Sequence, residues 1–220
     1  MTHSGTSRAR IDHGITTGVF ELDGGTWEVD NNVWVLGDDD ECVVLDAPHD
    51  ADAIMQVVGD RRVRAILLTH AHSDHVDAVF ELKERTGAPI HLHPDDRVLW
   101  DLRHEGRSWD EDLTDGQTIE VAGVQVRVLH TPGHAPGACC FSVPELGVVF
   151  TGDTLFEGGP GATGRSHSSF EEIVDSITRS LLPLPETTVV HTGHGGSTTI
   201  GAEKADRQRW IDEHDAQGEG

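Results

Sequence analysis

The residues with the clearest capacity for chemistry lie in one short segment, Thr69–His75, which reads T-H-A-H-S-D-H. Three histidines and one aspartate directly follow Val63–Leu68, an apolar segment typical of a buried strand. Imidazole nitrogens and carboxylate oxygens are ligands that zinc, iron and manganese use in proteins. A solvated polar loop with chance histidines is the alternative, but four ligand types at this spacing favour a metal site held by a strand end.

Three later segments place further candidate ligands where strands are expected to end. They read T-P-G-H at residues 131–134, G-D-T at 152–154 and T-G-H-G at 192–195. Each segment is weak evidence alone. All of them in order, each at a junction between a strand and a loop, form a strong signal for a family resemblance.

Together these segments resemble the motifs of the metallo-β-lactamase superfamily, over most of the chain from Gly18 to His214. The resemblance implies an α+β fold, a four-layer αββα sandwich with two divalent metal ions in a cleft at one edge. Zinc is the expected metal, with iron or manganese as alternatives. By the same resemblance the first ion is held by His70, His72 and His134, and the second by Asp74, His75 and His194. Asp153 bridges the two ions, and Asp46 also matches a common family position.

The segments around Asp153 and His194 are similar to those of glyoxalase II-type thioester hydrolases. This implies cleavage of a thioester, R-CO-S-R′, of a low-molecular-weight thiol by a hydroxide that bridges the metals. Asp74 and Asp153 are the candidate catalytic residues, orienting the hydroxide or moving its proton, unless they are ligands only. The short chain resembles bacterial members, including the actinobacterial group linked to mycothiol, with S-formylmycothiol as a specific candidate substrate. A persulfide dioxygenase with a single non-haem iron and a lactone hydrolase are the alternatives.

A glycine-rich segment, residues 158–166, is expected to form a loop at the border of the metal cleft. Phe156, Arg165 and His167, in or beside this loop, are the candidate substrate-binding residues. His130 and His191 directly precede ligand segments, so they are candidates for orienting the ligands. His49 is interpreted as a surface residue.

The hydrophobic periodicity predicts a mixture of strands and helices, with hairpins in both halves of the chain. This arrangement favours two sheets inside outer helices rather than one parallel sheet. We expect a single domain over residues 13–214, with flexible tails at 1–12 and 215–220. Helices are predicted at residues 51–58, 76–86, 170–182 and 202–214.

The composition limits the classes of partner. Lys and Arg number 16 against 39 Asp and Glu, which gives a net charge of −23. Nucleic acids and anionic membranes are disfavoured, because both bind through Lys and Arg. No apolar run is long enough for a transmembrane helix, no secretory signal is visible, and the three cysteines do not form a disulfide framework. The sequence therefore predicts a cytoplasmic monomer or small homo-oligomer that acts on a small molecule.

Overall fold

The first half of the chain builds a sheet whose strands follow one another in sequence order. The computed structural model describes residues 8–218, without the side chains of residues 217 and 218. The sheet's strands are β1 (Arg10–Leu22), β2 (Gly25–Gly37), β3 (Glu41–Leu45), β4 (Arg62–Leu67), β5 (Ile90–Leu92) and β6 (Glu111–Asp112). The first three are antiparallel and the remainder run parallel to β3.

The second half forms another sheet and a short ribbon. Its strands are β7 (Thr118–Val121), β8 (Val124–His130), β9 (Cys139–Val143), β10 (Val148–Gly152), β11 (Leu155–Phe156), β12 (Gly159–Pro160), β13 (Val189–Thr192) and β14 (Thr198–Thr199). The sheet has the order β14-β13-β10-β9-β8-β7, and β11 pairs with β12 as a separate ribbon. Strands β10 and β13 are parallel neighbours, so their carboxyl ends lie side by side.

Helices connect these strands and cover the outer faces of both sheets. They are α1 (Ala51–Val58), α2 (Ser73–Val76), α3 (Val79–Thr86), α4 (Arg97–His104), α5 (Phe170–Ser176) and α6 (Ile200–Gly218). The start of α1 is fixed by Asp50, whose side chain accepts hydrogen bonds from two N–H groups of the first turn. The helix ends at Gly59, which has a φ of 65°.

Three apolar layers hold the four structural layers together. Between the sheets, Leu36 and Leu67 pack in one cluster with Phe141 and Phe150. The outer face of the first sheet packs against its helices through a cluster that includes Ile54, Leu82 and Trp100. The outer face of the second sheet does so through Ile173, Ile177 and Trp210. The chain therefore forms the αββα sandwich that the sequence predicts.

Successive side chains of β9 point alternately into the two apolar layers on either side of its sheet. Cys139 belongs to the cluster between the sheets, and Cys140 belongs to the cluster under α5 and α6. Both thiols are buried and free of disulfide bonds. The prediction that the two cysteines point to opposite faces is confirmed.

Several predicted boundaries are wrong. Strand β1 begins at Arg10, inside the expected tail of residues 1–12, and α6 runs to Gly218, beyond the expected end of the domain at 214. The predicted helix at 76–86 is two helices, because α2 begins at Ser73 and α3 only at Val79. Residues 1–7 and 219–220 lie outside the described residues. Among the described helices, none combines the length and the apolar character needed to span a membrane.

Candidate metal centre

The seven predicted ligands converge at one edge of the sandwich. Each follows a strand end that points to this edge, or lies on the short helix α2 directly behind such an end. His70 and His72 follow β4, Asp74 and His75 lie on α2, His134 follows β8, Asp153 follows β10 and His194 follows β13. Strands from both sheets therefore contribute to one cluster.

Three of these residues, called here the three-histidine set, are His70, His72 and His134. The Nε2 atoms of His70 and His134 both lie 3.0 Å from Nδ1 of His72. The Nδ1 atom of His134 lies 2.8 Å from the carbonyl oxygen of Ala162, and Nδ1 of His70 lies 3.0 Å from Oγ1 of Thr69. Because these contacts use the single ring proton of each neutral imidazole, both Nε2 atoms present lone pairs to the same point.

This arrangement fits a divalent cation better than it fits hydrogen bonding. Two lone pairs face one nitrogen of His72, while the other nitrogen, Nε2, is buried without a hydrogen-bond partner among the described residues. Nitrogen ligands of a tetrahedral zinc ion, at 2.0–2.1 Å from the metal, are about 3.3 Å from one another. The two spacings of 3.0 Å are close to this value, and all three ligand atoms lie within 4.8 Å of one another, as ligands of one ion require.

A second group of predicted ligands combines one aspartate with two histidines. It is called here the mixed set and consists of Asp74, His75 and His194. Oδ2 of Asp74 lies 3.3 Å from Nε2 of His194 and 3.6 Å from Nε2 of His75. The opposite nitrogens of the two rings are also engaged, Nδ1 of His75 at 2.9 Å from Asp46 Oδ2 and Nδ1 of His194 at 2.7 Å from the Asp30 carbonyl. Such contacts fix ring orientation and leave Nε2 directed at the centre.

Asp153 lies between the two sets. One of its oxygens is 3.4 Å from Nε2 of His75, and the other is 3.3 Å from Nε2 of His194 and 3.6 Å from Nε2 of His134. Its carboxylate can therefore contact cations in both sets, as a bridging ligand must. A side chain at Gly193 would overlap the Asp153 carboxylate, so glycine is required at that position.

Burial and charge separate the two sets. Burial lowers the pKa of all three members of the three-histidine set, to about 3 for His72, so these rings are neutral at pH 7. Burial also opposes protonation of His194, but the carboxylates of Asp153 and Asp74 outweigh it and raise the pKa to about 10. The pKa of His75 is raised for the same reason. Without metal, the raised pKa values of His75 and His194 thus favour protonated rings beside Asp74 and Asp153, while the three-histidine set offers only lone pairs.

Asp46 connects the two sets through hydrogen bonds to Thr69 and His75. Its carboxylate accepts hydrogen bonds from the backbone N–H and the hydroxyl of Thr69, at 2.7 and 2.8 Å, and contacts Nδ1 of His75 at 2.9 Å. Because the Thr69 hydroxyl donates to Asp46, it accepts from Nδ1 of His70. One carboxylate thereby orients a histidine of each set.

Asn31 contacts the centre directly and His49 contacts Asn31, and nothing in the sequence motifs indicates either residue. The Asn31 amide donates to Oδ2 of Asp74 at 3.0 Å, and its oxygen lies 2.8 Å from Nε2 of His49. The interpretation of His49 as a surface residue is therefore wrong. The predicted orienters contact other groups: His130 reaches the carbonyl of Pro136, and His191 reaches the hydroxyl of Ser197.

Two of the three candidate substrate-binding residues lie near the ligands. The ring of Phe156 is 6.3 Å from that of His194. The Arg165 guanidinium stacks over Trp27 at 4.0 Å and Phe20 at 4.8 Å, and Phe20 lies edge-on to His72 at 5.2 Å. His167 is exposed, and within residues 8–218 no hydrogen bond or ring contact joins it to the ligands. The structure thus brings Phe156 and Arg165 to the cleft but not His167.

The fold and the ligand cluster define a class of protein, and comparison with known families agrees. The chain belongs to the metallo-β-lactamase superfamily, whose family model matches residues 26–194. Among curated relatives, the hydroxyacylglutathione hydrolase GloC of Haemophilus influenzae is 34% identical over 185 residues, which cover 77% of this chain and 87% of that protein.

Solved structures show the same architecture. The crystal structure of the BLEG-1 B3 metallo-β-lactamase is 32% identical, with a TM-score of 0.73, and covers 86% of this chain and 97% of that one. TTHA1623 in a di-iron-bound form is 36% identical, with a TM-score of 0.67 and coverage of 80% and 93%. ETHE1 from Myxococcus xanthus is 26% identical, with a TM-score of 0.69 and coverage of 86% and 81%.

Proposed function

We propose that the protein is a metal-dependent hydrolase that cleaves thioesters of a low-molecular-weight thiol. The observation that carries the proposal is the position of Asp153 between two complete donor sets. Two divalent cations held there, zinc or else iron or manganese, would supply water of lowered pKa and stabilise negative charge on a carbonyl oxygen. The relationship to GloC supports a thioester as the substrate.

The residues of the chain have distinct tasks in this proposal. The three-histidine set and the mixed set hold the cations, and Asp46 and Asn31 fix the directions of their ligands. Asp74 and Asp153 orient the attacking water with their carboxylate oxygens. A thiolate is a good leaving group, so the reaction needs no strong general acid, and the sequence has no tyrosine to act as one. Three buried, unpaired cysteines favour a reducing cytoplasmic compartment.

A persulfide dioxygenase with a single iron is the second candidate. It is supported by the likeness to ETHE1, which is 26% identical. In this candidate the iron would be held at the three-histidine set, and the mixed set would hold no metal.

Elemental analysis and a substrate panel separate the two candidates. We expect about two divalent ions per chain and hydrolysis of acyl thioesters without oxygen consumption. Paired thioesters of glutathione and mycothiol, with the same acyl group, identify the thiol, and preference for mycothiol would support the S-formylmycothiol hypothesis. One iron per chain, with oxygen consumption on a thiol persulfide and no thioesterase activity, would establish the second candidate instead.

Arg165 is expected to bind an anionic group of the substrate. Its guanidinium is stacked on Trp27 and Phe20, and a stacked guanidinium keeps its N–H edges available to donate hydrogen bonds. Replacement by alanine should raise KM about tenfold and change kcat less than about twofold, the effect of losing one hydrogen bond to a charged group. Steady-state kinetics on the preferred thioester measure both constants.

Arg107→Ala is the matched control, because Arg107 also stacks on an aromatic ring, that of Phe80, but outside the cleft. Unchanged KM in Arg165→Ala, or an equal rise in the control, would remove Arg165 from the substrate site.

A further inference from the structure

Asp96 is a buried carboxylate that the proposed mechanism does not use. It ends a 3₁₀ turn, Pro94–Asp96, and directly precedes α4, where an aspartate normally caps the first helical N–H groups. Its side chain makes no such cap. It is fully buried, at 0% exposure, and burial raises its pKa to about 7. A carboxylate buried at this cost requires another explanation.

Both of its oxygens are engaged by loops distant in sequence. Oδ2 accepts a hydrogen bond from the backbone N–H of Ala71 at 2.7 Å, and Oδ1 accepts one from the backbone N–H of Gly137 at 2.5 Å. Ala71 stands between His70 and His72, and Gly137 lies three residues after His134. The two loops that carry the three-histidine set are therefore joined through one carboxylate.

The junction is closely packed. A Cβ atom at Gly137 would lie 2.7–2.9 Å from atoms of Asp96, so no side chain fits between the loop and Asp96. A hydrogen bond from the N–H of Cys139 to the carbonyl of Thr69, at 2.8 Å, runs between the same two parts of the chain. Asp96 adds a second link between these two parts of the chain, at Ala71 and Gly137, which are nearer in sequence to the ligands His72 and His134.

We propose that Asp96 is a positioning residue that sets the distance between the His70–His72 loop and the His134 loop, and thereby the metal affinity of the three-histidine set. The proposal rests on the proposed function, because it assumes that this set binds a metal. The mixed set belongs to α2 and to the loop after β13, whereas the hydrogen bonds of Asp96 go to Ala71 and Gly137, so the mixed-set affinity should depend much less on Asp96.

The test is a cobalt(II) titration of the metal-free protein and of Asp96→Asn, followed by visible absorption and by competition with a chromophoric chelator. The amide retains one acceptor but turns an N–H donor toward one of the two backbone N–H groups. We expect the three-histidine affinity to fall about 10- to 100-fold, as when a partner of a metal ligand is removed, while the mixed-set affinity falls much less. A structural role alone would not produce this selective change.

Asp110→Asn is the matched control, because Asp110 also accepts a backbone N–H bond, from Ile90 at 2.8 Å, but contacts neither ligand loop. Equal affinities in wild type and Asp96→Asn, or an equal loss at both sets, would overturn the positioning role. Absence of cobalt binding by wild type would overturn the metal-dependent function as well. If Asp96→Asn does not fold, Asp96→Glu keeps the charge but displaces the loops, and an unchanged three-histidine affinity there would also overturn the proposal.

Discussion

Replacing Asp153 with asparagine is expected to reduce kcat by at least about 10³-fold and to lower the metal content of the purified protein. The carboxylate contacts histidines of both sets, and its negative charge offsets the repulsion between two nearby cations. Asparagine has nearly the same shape, so packing against Gly193 is preserved. The variant therefore tests the charge and the second oxygen rather than the fold.

The same substitution should also change protonation in the metal-free protein. Asp153 is the largest source of the raised pKa of both His75 and His194, so both pKa values should fall when its charge is removed. Elemental analysis and steady-state kinetics measure the main effects, and NMR titration of the histidine rings measures this one. Glu41→Gln is the control, since Glu41 pairs with Arg62 and Arg64 at a distance from the cluster. Full turnover with unchanged metal content in Asp153→Asn would refute the bridging role.

The ligand cluster could be predicted from sequence because its residue types are uncommon together and each stands where a strand ends. His70, His134 and Asp153 illustrate this, since each follows a strand whose apolar residues are visible in the sequence. The ends of these strands lie at one edge of the sandwich, so ligands that directly follow them meet at that edge. The same sequence pattern, apolar strands that are each followed by a histidine or an aspartate, therefore predicts both the fold and a metal site.

The residues that orient the ligands could not be found in that way. Asn31 lies 43 positions from its partner Asp74, and an asparagine on a strand carries no signal of its own. Asp96 occupies a position where an aspartate is expected to cap a helix, so local chemistry suggests the wrong partner. Only tertiary packing shows that its oxygens reach Ala71 and Gly137. The sequence pattern identifies groups that bind metal, whereas their supports depend on contacts between distant segments.

The helix α2 shows a different limit. The sequence predicts a helix only from residue 76, yet the chain becomes helical at Ser73 and places Asp74 and His75 on the first turn. All four residues of this helix are buried. Asp74 and His75 are buried because they belong to the cluster, and buried Ser73 accepts a hydrogen bond from Glu21, so hydrophobic periodicity does not reveal the helix.

A second large effect is expected for His70→Ala, which should abolish metal binding by the three-histidine set and nearly all turnover. His70 is 1% exposed, and its Nε2 is one of the lone pairs that define this set. The mixed set retains Asp74, His75, His194 and the Asp153 carboxylate. For a two-metal hydrolase, the metal content should therefore fall from about two ions per chain to about one.

The same variant distinguishes the two candidate functions, because the mixed set holds a metal ion in the two-metal hydrolase and none in the single-iron enzyme. In the single-iron candidate only the three-histidine set holds a metal, so the metal content of His70→Ala should fall from about one ion per chain to none. His91→Ala is the control, since burial lowers the pKa of this half-buried histidine on β5 as well, but it lies outside the ligand cluster. A His70→Ala protein with full activity would contradict both candidates, since each requires a metal at the three convergent imidazoles.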